Sequence, residues 1–153
     1  MQNFDPTPLA NASQDFAHRS FNHFVASANQ LAELSRTFLQ ESTQNAAKAF
    51  APVASADAFA SASTAAMKEQ AGAVLRFASA STKLAVEHAQ RHAKDVQELA
   101  DHGAAHWKDS FPESARIVDA FKPVMKAASS ANEYAAKTAL RMASDWERVA
   151  QSA

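Results

Sequence analysis

The chain has 153 residues with 15 basic and 16 acidic side chains, no cysteine, 2 glycines and 38 alanines. A formal charge of -1 gives no electrostatic reason for nucleic acid or an anionic membrane to be the main partner. The missing cysteines exclude disulfides and thiolate metal sites, and two isolated glycines exclude a glycine-rich phosphate loop.

Length alone predicts one domain, and abundant alanine with little glycine predicts long, nearly uninterrupted helices. Met1 to Ser13 carries no positively charged start and no continuous apolar run, so no cleaved secretion signal is expected. No later stretch approaches the roughly 18 apolar residues of a membrane-spanning helix. Pro6 and Pro8 predict a flexible segment over residues 1–12, extended or frayed.

A helical pattern begins near Asn11 or Ser13. Phe24, Leu31 and Phe38 recur at seven-residue intervals, flanked by Phe21, Val25, Ala28, Leu34 and Leu39, which is a helical and not a strand period. This helix is expected to run to about Phe50, where Pro52 biases Ala51 away from helix and Ser55 and Asp57 offer caps for a restart. The second helix is expected from about Asp57 to Asp101, with sparse large residues at Phe59, Met67, Val74, Phe77, Leu84, Val96 and Leu99. Gly72 inside it marks a weak point or a close crossing. Glu87 with Arg91, Arg91 with Asp95 and Lys94 with Glu98 are opposite charges four apart that support an exposed helical face.

Gly103 stands where a C-terminal cap belongs. Ser110, Phe111, Pro112 and Glu113 then have the spacing of a capping box, so a third helix is expected near Phe111. Along it Ile117, Phe121, Val124, Ala128, Ala131, Ala135, Thr138, Met142 and Val149 step by fours and threes, the spacing of a coiled-coil seam, although Pro123 is expected to kink or interrupt it. The residues therefore predict an all-α, coiled-coil-like protein of three long amphipathic helices. A helical hairpin over 13–102 is antiparallel, and 110–153 adds a C-terminal helix to the same domain.

Reactive chemistry is sparse. His88 and His92, and His102 and His106, are four apart and could each share a helix face, but no third ligand or base accompanies them at metal-site spacing, and surface histidine is the expected state. No Glu-x-x-His occurs for a carboxylate bundle, and no local motif suggests a Ser/His/Asp set. Neither an enzyme nor a cofactor is expected. Phe16, Phe21, Phe24, Phe38, Phe59 and Phe77 either pack between helices or open in part onto an apolar surface, as an amphipathic helix can.

The stretch Ala28-Asn29-Gln30-Leu31-Ala32-Glu33-Leu34, continuing through Phe38-Leu39-Gln40-Glu41-Ser42 to Asn45-Ala46-Ala47-Lys48, resembles the first helix of phasins. The Ser55-Ala56-Asp57-Ala58 restart looks like the turn into that family's second helix, Ala85 to Leu99 suits the helix that follows, and Pro112-Glu113-Ser114 with the alanine-serine seam from Ala127 to Ala139 is similar to the later helical region. The resemblance spans about Phe16 to Met142 and is one of spacing and composition, without a catalytic motif. It implies a non-catalytic cytoplasmic coat on polyhydroxyalkanoate storage granules that controls granule size, number and dispersion, and in some members acts on the polymer synthase or depolymerase.

Under this reading Phe21, Phe24, Leu31, Leu34, Phe38, Phe77 and Leu84 are the candidate granule contacts. Ile117, Phe121, Val124, Ala128, Ala131, Ala135 and Met142 are the candidate seam of a homo-oligomer. The competing expectation is a coiled-coil oligomerisation protein without surface activity.

Overall fold

A computed structural model of the chain describes residues 5–52 and 54–152. It is all-α. Three helices account for nearly all described residues: α1 (Thr7–Ala49), α2 (Ala56–Ser110) and α3 (Ala115–Ser152), with a single 3-10 turn at Pro112–Ser114 and no strand among the described residues.

The helix ends follow from local chemistry. Asp5 Oδ1 accepts the Thr7 backbone N–H at 2.9 Å, and the Pro6 carbonyl accepts the Ala10 N–H at 3.0 Å. The prolines at 6 and 8 thus occupy a first turn whose N–H groups have no intrahelical acceptor anyway, and α1 starts at Thr7 instead of the expected 11–13. At its other end the expected break forms: α1 stops at Ala49, and Ser55 Oγ caps α2 by accepting the Ala58 N–H at 3.2 Å. Serine and threonine are tolerated mid-helix because Ser13, Ser35, Thr37, Thr43 and Thr64 each donate to the carbonyl four residues back.

Gly103 does not end α2, which continues to Ser110. Neither glycine has a positive φ, so Gly103 takes ordinary helical backbone, and the good helix formers Ala104 and Ala105 carry the helix on. The break comes at Phe111 (φ −138°, ψ 79°), the residue that Pro112 pushes out of the helical region. The expected capping box is not made: Ser110 belongs to α2, no side chain caps the 3-10 turn, and α3 proper begins at Ala115. Pro123 lies inside α3, which runs through it without interruption.

The helices pack as two units, Met1–Ser27 with Glu87–Lys137 and Ala28–Val86 with Thr138–Ala153. Within each unit the partners of α1 on α2 fall in number as α1 rises, the mark of an antiparallel pair. Arg19 reaches Glu98 and Ser27 reaches His88 in the first; Glu41 meets Arg76 and Lys48 meets Glu69 in the second.

The second unit closes tightly. Ala66, Ala73, Ala143 and Ala150 are buried there with Ser79. Gly72 is buried too, and a Cβ at this position would lie 3.5 Å from the Ala150 carbonyl oxygen and 3.3 Å from the Arg76 guanidinium, so it marks a close crossing of α2 and α3.

Candidate functional site

Residues 20, 23 and 27 of α1 are spaced by three and four and share one helix face, while 21, 24, 25 and 28 lie roughly a quarter-turn round. In the first unit the face turned toward α2 is the polar one. Ser20, His23 and Ser27 are half-buried, whereas Phe21 and Phe24 are 65% and 62% exposed and Val25 is exposed beside them.

What holds the polar face is a set of charged and hydroxyl contacts. Asp95 of α2 is 5% exposed; its Oδ2 lies 3.1 Å from His23 Nδ1 and its Oδ1 3.6 Å from Arg19 Nε. The His23 approach is within ion-pair reach but not aligned for a hydrogen bond. Arg19 also donates to Glu98 Oε2 at 2.7 Å, Ser27 Oγ sits 3.1 Å from His88 Nδ1, and the Phe16 ring meets His92 edge-on at 6.0 Å. The expected Arg91–Asp95 pair is therefore not made. Asp95 turns inward to α1, and among the described residues Arg91 pairs with Glu87 alone.

In the second unit α1 turns apolar bulk inward. Phe38 and Phe77 pack with centroids 4.9 Å apart at 31°, and Leu34, Leu75 and Leu84 are half-buried in the same unit. Polar contacts fix the pairing beyond them: Gln70 Nε2 donates to Ser42 Oγ at 3.0 Å, buried Asn45 donates to Gln70 Oε1 at 3.5 Å, and Arg76 pairs with Glu41 at 3.0 Å.

The seven candidate surface contacts accordingly divide. Phe21, Phe24 and Leu31 lie open, while Leu34, Phe38, Phe77 and Leu84 are turned at least half inward, where a surface reaches them only if the second unit opens.

The candidate seam of α3 is exposed along its length. Ile117, Phe121, Val124, Ala128, Ala131 and Ala135 lie open in the first unit and Met142 in the second. The face that packs within the chain is one position on: Val118, Met125, Asn132 and Ala136 in the first unit, Ala143, Trp146 and Ala150 in the second. Both rows repeat every seven residues, so spacing alone does not choose between them. The row with alanine at 136, 143 and 150 lets the backbones approach most closely.

Two lysines bind one carboxylate at the α2–α3 contact of the first unit. Lys108 and Lys122 reach Asp119 Oδ1 at 2.7 and 2.8 Å, and their hydrogen bonds, that of Lys108 foremost, lower the Asp119 pKa to about 2. In the second unit Lys83 donates to Glu147 at 2.6 Å and, with the nearby Ser79 hydroxyl, holds that carboxyl below its ordinary value. The four histidines singled out by their spacing do not converge: among the described residues no group of three or more His, Asp and Glu is placed to hold a metal ion. His88 meets Ser27, His92 meets Phe16 and His102 is exposed. No helix is long and apolar enough to cross a membrane among the described residues.

The seven-residue apolar pattern of α1 hides a polar row that is just as regular. Ser20, His23 and Ser27, one turn on from the half-buried Phe16, are spaced as regularly as Phe24, Leu31 and Phe38. The chain matches no family model, no curated protein and no solved structure.

Proposed function

We propose that this protein is a non-catalytic coat that adsorbs to polyhydroxyalkanoate storage granules in the cytoplasm and controls their size, number and dispersion. One observation carries the reading. In the first unit α1 faces α2 with Ser20, His23 and Ser27 and leaves Phe21, Phe24 and Val25 open, an inverted arrangement for a helix that is only part of a closed bundle.

A helix of this polarity gains roughly 25 cal/mol for each Å² of apolar area it lays on a polyester surface, without first breaking its own core. The charges that remain outward, with a net charge close to zero, leave dispersion to the hydrated layer more than to long-range repulsion. Effects on the polymer synthase or depolymerase belong to the phasin resemblance alone.

Purified granules test it. Phe21→Ser with Phe24→Ser should move the protein from the granule pellet to the supernatant while its helix content stays unchanged; co-sedimentation equal to that of the unaltered chain would refute adsorption through this face. The second reading, a structural oligomer without surface activity, draws on the exposed row from Ile117 to Ala135. It predicts that micromolar protein leaves the tension of an oil–water interface unchanged, where a coat lowers it.

A further inference from the structure

In the first unit α3 packs within the chain on one side only. Val118, Met125, Asn132 and Ala136 are at least half-buried, whereas Ile117, Phe121 and Val124 are 61%, 62% and 64% exposed, and Ala128, Ala131 and Ala135 lie open in the same row. Steps of four and three keep that row on one helix face over about 27 Å, at roughly 1.5 Å per residue. Ala120, Ala127 and Tyr134 are exposed beside it, and no residue of the row or of this flank is charged.

The row also has an order that a seven-residue period does not require: its bulky residues come first and its alanines last. Two such rows laid in the same direction put Phe121 on Phe121 at one end and alanine on alanine at the other, so no single separation of the helices fills both. Laid in opposite directions they match. Ile117 then meets Ala135 of the second copy, Phe121 meets Ala131 and Val124 meets Ala128, and a two-fold axis repeats each contact. Every layer combines one large and one small side chain, the condition for close and even packing. Charge favours the same direction: a parallel pair sets Arg116 beside the second copy's Arg116, whereas an antiparallel pair holds the two at opposite ends of the seam. A flat apolar surface makes no use of this order, since it touches the bulky residues and leaves the alanines short of contact.

We propose that this face of α3 pairs with the same face of a second copy of the chain, antiparallel, about a two-fold axis midway between Val124 and Ala128. The pairing rests on the exposed row that carries the oligomer reading and deepens it by naming the partner, the direction and the register. A seam of this length falls at the small end of specific interfaces, about 1,200 Å² in total, so the dimer is reversible, with a dissociation constant on the order of 10 µM. It forms in solution and leaves Phe21 and Phe24 of α1 uninvolved, so it stands or falls separately from adsorption to granules.

The test uses the full chain, which has no cysteine of its own. Sedimentation from about 1 to about 200 µM, a range that brackets the expected dissociation constant, should show monomer passing into dimer. Ile117→Cys alone and Ala135→Cys alone should form no disulfide dimer in a glutathione redox buffer, because like positions of the two copies lie about 27 Å apart, while an equimolar mixture of the two variants should cross-link. Ala131→Arg puts a charge into the seam and should weaken association at least about tenfold. Ser130→Arg, exposed one position off the row, should leave association as it was, and so should Phe21→Ser with Phe24→Ser; circular dichroism checks that each variant keeps its helices. A chain that stays monomeric throughout the range refutes the oligomer reading and the pairing together. Disulfide dimers from either single-cysteine variant alone, a trimer or tetramer, or unchanged association in Ala131→Arg overturn the pairing and leave the oligomer reading standing.

Discussion

The two units use the same three helices, and the same alanine background, but turn different faces of α1 toward α2. In the second unit α1 brings Phe38 against Phe77 over buried alanines, with side-chain amides and ion pairs fixing register at Asn45, Gln70 and Glu41. In the first unit the same helix brings Ser20, His23 and Ser27 to α2 around the nearly buried Asp95, and its phenylalanines at 21 and 24 stay outside. Apolar bulk inside contributes stability that does not depend on water being kept out of a polar contact. A polar interior leaves that bulk free for another surface. One helix therefore buries its apolar residues along one part of its length and leaves them exposed along another.

The largest expected effect lies in the second unit. Phe77→Ala should cost roughly 2–3 kcal/mol, below the full range for a buried aromatic because both rings of the pair are only half-buried. The same change at exposed Phe21 should stay within about 0.5 kcal/mol. Urea unfolding of the two variants measures the contrast, and equal losses would mean that the first unit also depends on its phenylalanines for stability.

Next comes the polar interior itself. Asp95→Ala removes the carboxylate that both His23 and Arg19 approach and should cost about 1–3 kcal/mol. Asp145→Ala removes an exposed pair with Arg148 and should cost next to nothing. If thermal melts place the two variants together, Asp95 does not organise the unit.

The helical class and the break at residues 50–55 were legible because composition, Pro52 and the Ser55 cap all pointed the same way. Gly103 misled for a definite reason: a glycine near a charged, polar stretch looks like a C-cap, but only a left-handed φ makes it one, and Gly103 has none. Pro6 and Pro8 misled similarly, since a proline that breaks a helix interior is harmless in a first turn that Asp5 caps. On α3 two rows share a seven-residue period, and the choice between them rests on how closely Ala136, Ala143 and Ala150 let the neighbouring backbone approach, which a single helix's pattern does not contain. The spacing of Phe21 and Phe24 makes them candidates for a surface, and both are exposed. Their release by a polar row behind them becomes visible only when α2 supplies Asp95 and His88 as its partners.

The glycines sharpen the same contrast at smaller scale. A Cβ at Gly103 would lie 3.8 Å from Leu9 Cδ1, ordinary contact distance, so Gly103→Ala should stabilise the first unit by up to about 1 kcal/mol through helix propensity alone. A Cβ at Gly72 meets the Arg76 guanidinium at 3.3 Å, and Arg76 is already engaged with Glu41. Gly72→Ala should therefore gain less than Gly103→Ala. A larger gain at 72 would show that the crossing in the second unit is looser than its distances imply.

The smallest effect is the response to acid, which has the same sign in both units. Asp119 in the first unit has a folded pKa lowered to about 2, so the stability from its pairs with Lys108 and Lys122 is fully present above the unfolded value of about 3.9 and is lost as pH falls through the folded value. Glu147 in the second unit is lowered as well, by Lys83 first, and loses its contribution in the same direction. Both carboxyls are solvent-facing, so screening keeps each effect small, and it should shrink further in molar salt. Melting temperatures followed from pH 5 to pH 2 should fall less steeply in Asp119→Asn than in the unaltered chain, with the two curves drawing together toward the acid end, as the native carboxyl begins to take up its proton. Curves that stay parallel down to pH 2 would show that the Lys108–Asp119–Lys122 contact contributes nothing to the first unit, leaving its α2–α3 packing to Val118, Met125 and Ala136.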